Sequence, residues 1–130
     1  VGGQIYPLHL AISRNWKVHY FTSDMADQPE HRAEEARFLT DMRAALGDKA
    51  MAALERIGDV LGLDYAGVDF GLGRNGDLLL FEANATMVIA APDADERWAY
   101  RRTAISRIIE AVIAMIMQKS TAAPRTCVRR

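Results

Sequence analysis

The sequence predicts an α+β fold, an antiparallel sheet with helices packed on one face, and three observations predict it. Hydrophobic periodicity alternates along the chain between about 2 and about 3.6 residues, in the order ββααββα. Asn75-Gly76 lies between two apolar runs and is a strong hairpin signal, because both residues tolerate the positive φ of a type I′ turn. At 130 residues, half of them hydrophobic and a quarter charged, the chain suits one soluble compact domain with an adequate core.

Taken in order, residues 5–13 and 16–23 alternate and are rich in β-branched and aromatic types, with Arg14-Asn15 as the turn between them. Pro7 confines the first strand to an edge or to its opening residues. A polar connector leads to Pro29, which suits a first helical turn because its missing N–H would have no partner there. A short, highly charged helix follows over 30–42, with Glu30, Glu34 and Glu35 on a solvated surface. Asp48 caps a second helix whose Met51, Leu54, Ile57 and Leu61 recur at core spacing, and Gly62 stops it. After the hairpin and a loop over 85–95, a helix over about 96–118 carries an apolar face. That face, with Trp98, Ile105, Ile108, Ile109, Val112, Met115 and Ile116, reads as deeply buried. Residues 1–120 thus form the folded unit and 121–130, without periodicity, a disordered tail.

The hairpin carries the chemistry. With the turn centred between Asn75 and Gly76, Asp69 faces Glu82 and Gly67 faces Asn84, so alternation puts Asp69, Glu82 and Asn84 on one side. Opposed carboxylates repel unless something compensates, and a divalent cation compensates well. Asn84 adds a neutral carbonyl oxygen, enough for two ions with Glu82 bridging. Gly67 and Gly71 on the same face leave a floor without side chains for a polyphosphate, while Ala66, Val68, Phe70 and Leu72 point into a core. A bulged loop over 73–76 would shift this pairing by a residue. The bland alternative is an acidic, solvated hairpin face with Asn84 as a turn residue.

The string Asp64-Tyr-Ala-Gly-Val-Asp69-Phe, followed by Leu80-Phe-Glu82-Ala-Asn84-Ala-Thr-Met, resembles the metal-binding hairpin of ATP-grasp enzymes, the group of D-alanine–D-alanine ligase, glutathione synthetase and ribosomal-protein glutamate ligases. The Asp-to-Glu spacing and the Glu-x-Asn match, and residues 5–21 look like the strand pair that precedes it, so the likeness covers roughly residues 4–118. The resemblance implies the C-terminal half of a carboxylate–amine or carboxylate–thiol ligase, which binds Mg-ATP, forms an acylphosphate and passes it to an amine or thiol acceptor. It implies one magnesium on Asp69 and Glu82 and a second on Glu82 and Asn84. It further implies Phe81 against the adenine, Thr86 near phosphate or acceptor, and Lys17 or His19 at the nucleotide. Gly67 stands where several members carry an arginine, which puts oxyanion stabilisation by that route in question.

A start at Val1, running at once into a strand pattern, is expected of a fragment. The lysines that hold the nucleotide in such enzymes would precede it, so the fragment alone is expected to be inactive, with an inner face free to pair in a homodimer. A net charge of −1 gives no case for nucleic acid, and the apolar stretch over 111–117 is too short for a membrane span. The single Cys127 forms no internal disulfide, which fits a cytoplasmic protein. His9 and His19, on facing strands, are hydrogen-bonded histidines rather than a zinc site, since no further ligand accompanies them. Arg97, Arg101 and Arg102 read as a solvated cluster, the rival being one arginine that reaches a phosphate or carboxylate. Two other functions stay open: a metal-dependent hydrolase using the same carboxylates, and a non-enzymatic interaction module with a structural hairpin.

Overall fold

The computed structural model describes residues 1–14, 20 and 23–121. Helix α1 spans Pro29–Thr40 with proline in its first turn, as expected. The predicted helix over 30–42 is broken at Asp41, whose extended backbone ends α1 and whose carboxylate accepts the Ala44 N–H (2.9 Å), opening α2, Met42–Leu46. Helix α3 runs Asp48–Leu61. Its N-cap is Gly47 at φ 80°, not Asp48, which instead occupies the first turn and pairs with Arg43 at 2.7 Å. Gly62 ends the helix in the left-handed region, as its position predicts.

Strands β1 (Gly67–Leu72) and β2 (Leu78–Asn84) form a two-stranded antiparallel sheet. The long predicted helix is two elements, a 3-10 helix over Glu96–Arg101 and then α4 over Arg102–Thr121. The architecture is therefore mixed helix and sheet, α+β. Residues 5–13 carry no strand. From Leu10 to Arg14, alternate main-chain N–H groups are satisfied by side chains instead: Leu10 donates to Glu35 Oε1 (3.1 Å), Ile12 to Met25 Sδ (3.4 Å) and Arg14 to Asp24 Oδ2 (3.2 Å). Most of the expected second strand, with Lys17 and His19, lies outside the described residues, as do Cys127 and the tail beyond Thr121.

The core gathers where α1 meets α4. Phe38, Leu39 and Ala104 are buried together, with Leu10, Met42, Leu46 and Tyr100 packed against them. On α3, Met51 and Leu54 are buried, while Ile57 and Leu61 are half-buried. Of the face expected to be buried on α4, Ile105 and Ile108 are buried, Val112 and Met115 are half-buried, and Ile109 and Ile116 are exposed, so the deep burial expected of the whole helix does not extend to its C-terminal half. Lys119 still ties that end to Asp64 at 2.5 Å. Among the described residues no helix is long and apolar enough to cross a membrane.

Candidate functional site

The hairpin pairs Gly67 with Asn84 and Asp69 with Glu82, the register the sequence predicts, by a different route. The turn is wider than a type I′ turn. Gly73 N–H bonds the Asp77 carbonyl (2.7 Å), Gly76 N–H bonds Gly73 (2.9 Å), and of the turn residues only Gly76 has positive φ. This pairs Phe70 with Leu80, one residue off the expected partner. Phe81 is then left as an extra residue, a β-bulge that restores the register at Asp69 and Glu82. Lys49 of α3 secures the turn, pairing with Asp77 at 2.6 Å and donating to the Asn75 carbonyl at 3.4 Å.

The floor expected over the glycines is occupied. A Cβ on Gly67 would lie 2.0 Å from Met87 Cε, and one on Gly71 would lie 3.0 Å from Phe81 Cζ. The glycines make room for those two side chains on the face of Asp69, and they leave no bare surface. Phe81, two-thirds exposed, lies across Gly71 and borders an open groove of about 1550 Å³. That groove is also lined by Asp69, Glu82, Tyr20, Arg37 and Phe38.

Asp69 and Glu82 are exposed and opposed across the ladder, and Asp69 has no hydrogen-bond or ion-pair partner among the described residues. Asn84 is more committed. Its amide donates to Glu82 Oε1 at 3.4 Å, and its Oδ1 accepts both the N–H and the hydroxyl of Thr86, at 2.7 and 2.8 Å. Carboxylates are hard oxygen donors of the kind a divalent cation takes, whereas the Asn84 oxygen is already occupied by Thr86. Among the described residues no three His, Cys, Asp or Glu side chains converge on a metal-sized space.

A second carboxylate centre has no counterpart in the sequence reading. Glu35, expected on a solvated helix face, is fully buried. Its Oε1 takes the Leu10 N–H, and its Oε2 takes the hydroxyls of Tyr20 (3.2 Å) and Tyr100. Arg101 Nε stands 3.8 Å from Oε1, with its guanidinium 4.6 Å from the Tyr20 ring centre. Arg101 thus reaches a carboxylate, but one of this chain's own, while Arg97 and Arg102 pair on the surface with Asp95 and Glu96. The His9 ring lies 4.6 Å from the same Tyr20 ring, tilted by 47°. Burial, then the Glu35 charge, pushes the Tyr20 phenol far up; burial, then its bond to Glu35, does the same for Tyr100. One signal for Glu35 was present: with Phe38 and Leu39 it falls at i, i+3 and i+4, on the apolar stripe of α1.

No family model, curated protein or solved structure matches the chain.

Proposed function

We propose that this chain is the C-terminal catalytic half of an ATP-grasp carboxylate–amine or carboxylate–thiol ligase, in which Asp69, Glu82 and Asn84 hold magnesium for a bound ATP. The observation that carries the reading is the pairing of two exposed carboxylates across β1 and β2, with Asp69 left without a partner. Like charges so placed cost the hairpin stability, and a bound cation offsets that cost. Magnesium there would neutralise charge on the phosphates as the γ-phosphoryl transfers. Of the chain's own residues, Phe81 offers an exposed aromatic face to the adenine, Thr86 stands near phosphate or acceptor, and Lys17 or His19 reaches the nucleotide.

The test is manganese binding, followed by electron paramagnetic resonance on the chain and on the D69N/E82Q variant. The expected result is a site lost on the double substitution; equal manganese affinity in the two proteins refutes the reading. A second reading, an interaction module, is favoured by the exposure of Leu79, Leu80 and Phe81 on β2. It predicts a homodimer in light scattering that Leu79→Glu converts to monomer with no dependence on divalent cations.

A further inference from the structure

Between residues 1–9, α3, β1, the loop after β2 and α4 lies a cavity of about 350 Å³, the size of a small-molecule site. Its walls are mostly apolar, with Ile5, Leu54, Phe70, Met87, Ile89 and Ile108 among them. Packed interiors leave few voids larger than a water molecule, so apolar space on this scale is room for a ligand's hydrocarbon. Gly58 gives a separate sign. It stands inside α3, where only proline is less favourable than glycine, and a Cβ built on it meets nothing within 4 Å. No neighbour therefore requires the glycine; what it does is keep side-chain atoms out of the cavity that it lines. Gly58 and the next residue, Asp59, are both exposed and both in the lining, so they mark where the cavity meets solvent.

The charges of the lining are one-sided. Glu55 is paired with Arg43, but Asp59 and Asp69 have no hydrogen-bond or ion-pair partner among the described residues. Among those residues no lysine or arginine lines the cavity; the Val1 ammonium in its wall donates to the Gln4 carbonyl (2.8 Å), and His9 lies against the Tyr20 ring. An anionic head group would meet uncompensated carboxylates here, and a cationic one is drawn to them. We propose that this cavity binds a small organic cation, an ammonium group on a hydrocarbon body, with the body among Ile5, Phe70, Met87 and Ile108 and the ammonium at the solvent end beside Asp59. Met87 suits such a wall, since its unbranched thioether adapts to the shape it meets. The proposal is independent of the metal reading: it needs no metal ion, and neither Glu82 nor Asn84 lines the cavity.

The experiment compares three probes of similar shape, phenethylammonium, phenethyl alcohol and phenylacetate, by calorimetry and by the methyl signals of Ile5 and Ile108, with EDTA present so that metal binding does not enter. The ammonium is expected to bind the wild-type chain and shift both methyl signals, the alcohol to bind about three- to fivefold more weakly, and the carboxylate not to bind. Asp59→Asn is expected to bring the affinity for the ammonium down towards that for the alcohol. Gly58→Leu fills the cavity from a helix position that favours leucine over glycine, so it is expected to abolish binding while thermal stability stays at or above that of the wild type. The proposal is overturned if none of the three probes binds the wild-type chain, if all three bind equally well, or if Gly58→Leu binds the ammonium as the wild type does. None of these results touches the metal reading, which the manganese experiment tests.

Discussion

Glu35 and the Asp69–Glu82 pair are carboxylate centres with opposite surroundings. Glu35 is sealed from water, and both its oxygens are taken by donors from three distant parts of the chain. Asp69 and Glu82 face solvent and each other, with no cationic partner among the described residues. A buried charge persists only when its neighbours compensate it fully, which commits it to holding the fold. An exposed, uncompensated pair is a local cost that folding alone does not explain, and the proposed function is built on that conflict.

The comparison breaks most readily at Glu35. Glu35→Ala strips the acceptor from Leu10, Tyr20 and Tyr100 and the counter-charge from Arg101 at once, and is expected to cost about 3–5 kcal/mol in urea denaturation. A loss below about 1 kcal/mol would show that the cluster does not hold the fold. Next in size, Mg2+ at a hundredfold excess over its Kd is expected to stabilise the wild-type chain by about 2.7 kcal/mol and the Asp69→Asn variant not at all. Without metal, Asp69→Asn is expected to have the opposite sign to Glu35→Ala, a gain of about 0.2–1 kcal/mol from relieved repulsion. A loss there would mean that Asp69 has a structural partner.

The pH dependence sharpens the same contrast. The Tyr20 and Tyr100 phenols titrate above their unfolded value in the folded chain, so their contribution is complete below about pH 10. Above that, the unfolded chain releases protons that the folded chain keeps, and stability falls as pH rises. Phenolate absorbance should therefore show these two rings ionising together with unfolding. The smallest effect is expected at Asp95, held below the usual carboxylate range by the Arg97 side chain and then by the Arg97 N–H. Its contribution is present above the unfolded value near pH 4 and is lost as pH falls through the folded one; Arg97→Gln, which keeps the main-chain N–H, should weaken that acid-side dependence and change little else.

The hairpin shows why part of the site was legible and part was not. Alternation put Asp69, Glu82 and Asn84 on one side, and the ladder pairs them so. That agreement hides two deviations that cancel, a wider turn that shifts the pairing by one residue and the Phe81 bulge that shifts it back. Turn width depends on the φ of Asn75, which is not positive here, and Lys49, reaching in from α3, holds the turn. Neither is written in the dipeptide. The glycines were read as an open floor because a sequence shows which side chains are missing and not which distant ones arrive to fill the space.

From the sequence alone came what depends on neighbours within about one helical turn or one hairpin: the hairpin and its acidic face, proline at the start of α1, Gly62 at the end of α3, and the core stripe of Met51 and Leu54. Only the tertiary structure decided the burial of Glu35, the breadth of α4 left exposed and the seating of Met87 on Gly67. Glu35 takes its partners from 15 to 65 residues away, and Met87 meets a glycine in a different element. Those contacts form by packing between elements, and no local periodicity encodes which elements will meet.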